Sequence, residues 1–511
     1  MMNKLTIAFL LLSAPVTAQN QPGEGRYRYD DATQLWRNTG NAAGLTIDSA
    51  RNRGVTFMGL EHGSGNYHRV QEGGMTNRLR FFTERYQHLG RYLYGYGKFE
   101  FGLGRTKDRA WADVMRPYNA DPYFSGSSIA GKYDHQNIGL KAAVGTVSFS
   151  GWRFGLTIDY KVGDLSRLRD PRSRSQLLDY KLTPAVTYTA GRHTLGLAAH
   201  YNRRKEKIPN LTTVQSDATL KYYLMTGLEN ATGTTGGYGG YQREWVNHNF
   251  GAALSYGYSS QRVGSVTTIG IERGSEGVMG QYKFEPGHYY NYIYTAATQN
   301  RLYTAAAVHQ LDISARYEQG YADEYRSQLV IERDSVRGFN SYRYDRQLTF
   351  RKRYQVRTAD LSLHYRASFT RGERQADSYV GLTAALQRAA NRYLLDASEL
   401  SYGRMDIGIE GGHGFFGHRL LVDAATGYAF ATKADMHLAD ETTDYARSVL
   451  LPDLSFYNAN YWHGRLQATW QFPLTIKKVR STWYVRAYAA TIRAQQSRHF
   501  STFGLALGIF N

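Results

Sequence analysis

The sequence predicts an all-β fold: a single transmembrane, antiparallel, up-and-down β-barrel of about eighteen strands, or about sixteen if one hairpin is misread, behind a short N-terminal arm. Three observations predict it. Segments of roughly ten residues alternate between apolar and charged side chains, as a wall with lipid on one side and water on the other requires. The composition couples 52 Gly, 42 Tyr and 22 Phe with 10 Pro and no Cys in 511 residues. A leader with the order of a secretory signal stands in front.

The same numbers exclude other classes. Mean hydropathy is −0.52, and outside the extreme N-terminus no apolar run reaches the roughly 18 residues a membrane-crossing helix needs. The absence of Cys removes disulfides, a thiolate nucleophile, Cys-ligated zinc and a lipid-modified Cys anchor. At 42% hydrophobic and 14% aromatic, the chain has too much to bury to stay disordered.

Taken in order, residues 1–18 read as a signal peptide: Lys4, the apolar run Leu5 to Leu12, then Val16-Thr17-Ala18 with small residues at the cleavage positions, so that the mature chain starts at Gln19. Residues 19–51 form the arm. There Asp31 is placed to cap a short helix through Leu35-Trp36 to Ala43, with Gly44 ending it; the arm either plugs the lumen or lies in the periplasm. Residues 52–511 form the barrel.

The clearest strand is 152–162, where Trp152, Phe154, Leu156, Ile158, Tyr160 and Val162 share one face and Arg153, Gly155, Thr157, Asp159 and Lys161 the other. Residues 360–369 repeat it, with Leu361, Leu363, Tyr365, Ala367 and Phe369 against Asp360, Ser362, His364, Arg366 and Ser368. The latter segment lies within an expected strand at 354–370, and the others are expected at 52–61, 77–86, 92–104, 136–149, 177–189, 192–205, 242–258, 261–274, 301–319, 323–333, 376–388, 397–413, 418–431, 455–472, 480–496 and 499–510. Short links such as Ser150-Gly151 and Ala190-Gly191 alternate with long ones at 105–135, 206–241, 275–300, 334–353 and 432–454. With both termini periplasmic, the long links fall outside the cell. Trp152, Tyr160, Tyr258, Tyr428, Phe430, Trp470 and Trp483 suit headgroup level, where an aromatic ring has an apolar body and a wet edge. The closing stripe Phe503, Leu505, Leu507 and Ile509 ends in Phe510-Asn511 rather than in an aromatic residue.

The string Leu35-Trp36, Thr39, Asn41-Ala42-Ala43-Gly44-Leu45, followed by Gln71-Glu72-Gly73 before the first hairpin, resembles an exported Bacteroidetes-type family of outer-membrane β-barrels of unassigned function. The resemblance implies a barrel in the outer membrane of a Gram-negative cell, working beside a nutrient-uptake receptor and a surface lipoprotein. It supplies no catalytic residue.

The polar faces nominate a lumen lining of Lys141, Arg153, Asp159, Lys161, His200, Asp312, Arg316, Glu318, Asp360, His364, Arg366, Asp423, Arg465 and Arg486. From these follows an expected porin-like solute channel or barrel component of an uptake complex; a non-conducting docking barrel is the rival. Excess cations, at a formal net charge of +19, crowd the links: Arg167, Arg169, Arg172 and Arg174; Arg203, Arg204, Lys205 and Lys207; Arg343, Arg346, Arg351, Lys352 and Arg353. Solvated rim charges facing anionic lipid and lipopolysaccharide are the expected reading, and no nucleic-acid motif is present. A hydrolase reading rests on His499 and Ser501, spaced on one face as in an outer-membrane phospholipase, but Thr502-Phe503 follow where that family has Asn and Gly. Asp435, Asp440, Glu441 and Asp444 lack the ligand spacing of a calcium loop. The Gly-rich run Gly233 to Tyr241 is expected to be a mobile external tip. No cofactor is called for.

Overall fold

The computed structural model describes residues 23–48, 52–116, 120–214, 220–235, 241–334, 336, 338–370, 375–376, 378–394, 397–476 and 479–510. The signal peptide and its cleavage site lie outside the described residues. No described helix is long and apolar enough to cross a membrane; the strands do so instead.

Among the described residues eighteen strands follow one another in chain order around a ring, each antiparallel to the next. The first, Arg53–Gly65, pairs with the last, His499–Phe510, with Val55 opposite Phe510 and Leu60 opposite Leu505. That closure leaves no strand edge in hydrocarbon, where each unpaired backbone group costs several kcal/mol. A two-residue strand, Leu211–Thr212, adds to Arg172–Ala190 outside the ring.

The alternation sorts side chains as lipid and water demand. Phe154, Leu156 and Ile158 stand exposed on the outside beside Leu195, Leu197, Leu254, Ile269 and Ile271, and Leu361, Leu363, Leu505 and Leu507 continue the belt. Rings pair along it, Trp152 on Tyr188 at 4.8 Å and Tyr428 on Phe430 at 4.7 Å. A closed ring with an apolar exterior and a charged interior is an outer-membrane barrel.

Turns at 147–151, 190–192, 260–262 and 416–419 share one end with Arg53 and Phe510, while links 110–130, 209–242 and 438–460 share the other. Short periplasmic turns and long external loops set the orientation. Two sequence expectations fail here in ways that cancel in the strand count. The segments expected at 301–319 and 323–333 are one strand, Ala307–Asp334, and the link expected over 275–300 holds the strand Gly287–Tyr303. Gly287–Tyr303 hides because Tyr falls on both faces, Tyr289 inward with Asn291, Tyr290 and Tyr294 outward. The link expected at 334–353 instead pairs back, Phe339–Phe369 against Ala307–Asp334. Because Gly287 is opposite Glu324 and Tyr354 opposite Tyr393, this hairpin stands out beyond its neighbours in the ring.

The arm also differs from expectation. Helix α1 spans Glu24–Thr33, so Asp31 lies inside a helix rather than ahead of one. Residues Leu35 to Ala43 form no α-helix: two 3-10 turns, Trp36–Thr39 and Ala42–Thr46, are separated by Gly40 at φ 76° and by Asn41, whose side chain accepts the Ala43 N–H at 3.0 Å.

Candidate functional site: the lumen and its two closures

From the short-turn end, the arm enters between inward-facing wall residues and is held by charge at one end and by shape at the other. Arg28 of α1 pairs with Asp423 at 2.7 Å, Glu24 with Arg486 at 2.6 Å, and Asp31 with Arg53 at 3.0 Å. Arg301, 2% exposed at its side chain, donates from Nε to the Ala32 carbonyl at 2.6 Å and also pairs with Asp312. Downstream, the wall is cut away to admit the chain: a Cβ at Gly155 would stand 2.2 Å from the Ala43 nitrogen, and one at Gly257 would stand 2.7 Å from the Trp36 ring. Trp36 is 4% exposed and Ala43 wholly buried. Asn41 reaches the Val186 and Leu197 carbonyls, and Thr46 Oγ1 donates to Thr146 O at 2.7 Å.

At the opposite end the long links fold inward into a second, dry core. The small sheet Phe124–Ser127, Lys221–Gly227 and Asn230–Thr235 packs with α2, Leu451–Tyr457, around Trp111, Tyr222, Met225, Tyr445 and Val449. Trp111 lies 4.5 Å from the Tyr223 ring and 5.3 Å from that of Tyr445. Buried Gln71 ties the two parts of this cap, donating to Trp111 O at 3.3 Å and Tyr445 Oη at 3.0 Å. Trp245 Nε1 donates to Tyr123 O at 2.7 Å. The sequence showed no sign of this core, because its aromatic residues come from separate links with no period of their own.

The nominated lining falls as follows. Asp159 and Lys161 stand 3.9 Å apart, and Arg316 pairs with Glu318 at 2.6 Å; all four border a cavity of about 370 Å³. Arg316, Glu318 and Asp360 border a second, of about 540 Å³, under the cap. Arg465 and Arg486 border a third, of about 510 Å³. Lys141 is opposite Asp159 on the next strand. Arg153 donates to Thr189 Oγ1 at 2.8 Å, and His200 meets Glu272 at 2.9 Å. His364 and Arg366 converge on Glu410, at 2.8 and 2.7 Å. Asp312 and Asp423 are spent on Arg301 and Arg28.

Sequence reasoning missed the neutral part of the lining, Asn202, Asn247, Asn249 and Asn291. These occupy inward positions of strands already recognised, or of the strand that hid; a search limited to charged residues passes over them.

Several link residues are also reassigned. Arg167 is 2% exposed and donates to Tyr133 Oη and to the carbonyls of Ile129 and Arg169. Arg204 is 5% exposed and pairs with buried Glu276. Neither is a solvated rim charge. Ser501 Oγ lies 3.1 Å from Thr491 Oγ1 on a lipid-facing row, with no hydrogen bond to His499 among the described residues. The acidic loop is divided among separate partners: Asp435 with Lys433, Asp440 with the Thr442 N–H, Asp444 with Lys221 and Tyr223. Gly233 belongs to a strand of the cap, while 236–240 lie outside the described residues.

A family model described as a family of unknown function, DUF6850, matches residues 42–511. It accords with the resemblance to an unassigned family but carries no source group, and Leu35-Trp36, Thr39 and Asn41 lie ahead of the matched region. No curated protein matches. Among solved structures, the chain is similar to the copper transporter OprC at 10% identity and TM-score 0.39, covering 90% of this chain and 81% of that one. It is similar to the siderophore receptor PirA from Acinetobacter baumannii at 9% identity and TM-score 0.39, covering 90% and 80%. The outer membrane protein opdK from Pseudomonas aeruginosa gives 9% identity and TM-score 0.36, covering 90% and 99%. Likeness of this degree says nothing of cargo.

Proposed function

The chain belongs to a family of unknown function, DUF6850, so its role has to be read from its own geometry, and we propose that it is a gated outer-membrane path for small hydrophilic solutes, working alone or as the barrel component of a nutrient-uptake complex. The observation that carries this reading is the fit of the arm. It is seated in a wall relieved by Gly155 and Gly257 and held by Arg28, Arg53, Arg301 and Arg486, while a cavity lined by charged and carboxamide side chains lies elsewhere in the bore. Withdrawal of the arm returns both partners of each buried ion pair to water and recovers their desolvation cost, so such a plug is removable in a way that a lumen packed with apolar residues is not. Release from the periplasmic side opens the lower end, and movement of the cap opens the upper one. Lipid and lipopolysaccharide surround the belt, and a receptor or surface lipoprotein would meet the projecting part of the hairpin, Glu324–Asp334 and Phe339–Phe350.

The cap core supports a second reading, a barrel that docks a partner and conducts nothing, because a dry cluster around Trp111 and Tyr445 resists opening. Liposome swelling with small uncharged solutes separates the two. The full chain is expected to admit them slowly and a variant that both lacks residues 23–48 and carries Trp111→Ala, which loosens the cap, at least tenfold faster; equal impermeability of both, with the barrel folded, would favour the docking barrel. Phospholipid hydrolysis lost in Ser501→Ala would overturn both in favour of an enzyme.

A further inference from the structure

Three wall strands, Arg243–Ser259, Val263–Gly280 and Gly287–Tyr303, bring Asn249, Gly274 and Asn291 side by side in one rung, and Asn202 extends the rung past Asn249. Asn291 Nδ2 donates to Glu318 Oε1 at 2.6 Å, which fixes the orientation of that carboxamide. Its Oδ1 and that of Asn249 reach in over Gly274 from either side: a Cβ there would stand 2.0 Å from the first and 2.3 Å from the second. Neither oxygen has a hydrogen-bond partner, although Asn291 is only 7% exposed. A buried acceptor without a donor is costly, and here two converge on one notch at the edge of the cavity of about 370 Å³. At about 30 Å³ per water, that cavity has room for roughly a dozen waters or one small solute.

The surrounding charges decide the class of solute. Asp159 has Lys161, Glu318 has Arg316, Glu272 has His200, and Asp179 accepts from Asn202 at 2.7 Å. Arg116 and Lys181 border the same cavity, so Arg116, Lys161, Lys181 and Arg316 stand against Asp159, Asp179, Glu272 and Glu318 while Arg204 is spent on Glu276; the lining offers no net countercharge to an ion and sets cationic donors beside open carboxamide oxygens. Hydroxyl groups are the complement of that surface: neutral donors that also accept from Lys and Arg. We propose that this notch and cavity bind an uncharged, polyhydroxylated solute, with Asn249 and Asn291 accepting from its hydroxyls. The proposal rests on the reading of the lumen as a solute path and names the class of solute.

Its test is an equilibrium titration of the purified full chain in detergent with sucrose and sorbitol, beside glucarate as the anionic probe and cadaverine as the cationic one. Saturable binding of an uncharged polyol is expected, weakened about tenfold by Asn249→Ala or Asn291→Ala and abolished by Gly274→Ala, which fills the notch. Heat-modifiable migration on gels verifies that each variant is folded. Absence of polyol binding, polyol binding indifferent to all three substitutions, or preference for glucarate or cadaverine would overturn the proposal. The titration needs no open pore, so swelling without polyol binding refutes the notch and spares the channel, whereas polyol binding to a barrel that never conducts does the reverse.

Discussion

Asp453 of α2 is 5% exposed, and its Oδ1 accepts the Val70 N–H at 3.0 Å, stitching the cap to the link after the first strand. Burial outweighs that bond and the nearby Arg69, and pushes its carboxyl up to about 7. A folded-state value above the unfolded one means that the folded cap holds the proton more tightly. Its contribution to stability is therefore complete below the ordinary carboxylate range and is lost as pH rises through about 7. Amide protection in residues 446–457, corrected for intrinsic exchange, is expected to be higher at pH 5 than at pH 8.5, and Asp453→Asn to erase the difference; equal protection in the wild type would contradict this. On the arm side, Gly155→Val places a side chain where the Ala43 nitrogen sits. Trypsin is then expected to cut the arm at Arg37 many times faster than in the parent chain, whereas Gly97→Val, with nothing within 4 Å of its site, leaves the rate unchanged.

The arm and the cap are elements of different strength, and substitutions should separate them. Arg301→Ala strips the Ala32 carbonyl of its donor and leaves Asp312 unpaired. The loss to the docked arm is that one charge-assisted hydrogen bond, roughly 2 kcal/mol, and would be read as faster tryptic cleavage of the arm; the Asp312 pair lies between two wall strands, and its loss falls on the barrel. Trp111→Ala opens a cavity in the dry cap, at about 3–5 kcal/mol, and should speed amide exchange across 221–227 and 446–457 while leaving the arm protected. These elements were unequally legible in the sequence. Strands such as Trp152–Arg167 announce themselves because lipid and water impose opposite chemistry on alternate residues. Beyond the membrane that contrast disappears, so 323–333 read as a strand of its own and Phe339–Phe350, which returns along it, read as part of a link. The motif Asn41 to Leu45 was visible as a string, but its purpose lies in contacts with Gly145 and Gly155 a hundred residues away. Gln71 likewise shows its role only once Trp111 and Tyr445 are brought to it.

For the molecule as a whole, the outer belt and the wet interior are two sides of one assignment. Leu363→Arg, on the belt, is expected to cost about 2–4 kcal/mol of folding free energy in a bilayer, while Ser362→Arg, its inward neighbour, costs little; denaturant titrations in lipid vesicles would show the contrast. The absence of native cysteine permits a more direct measurement. Single variants Lys181→Cys and Leu363→Cys, each with and without residues 23–48, are exposed in liposomes to a membrane-impermeant maleimide supplied from the short-turn side. Labelling of Lys181→Cys is expected to be slow with the arm in place and fast once it is removed, and Leu363→Cys is expected to resist labelling in both. Rapid labelling of Leu363→Cys in the bilayer, or no effect of arm removal on Lys181→Cys, would contradict the account.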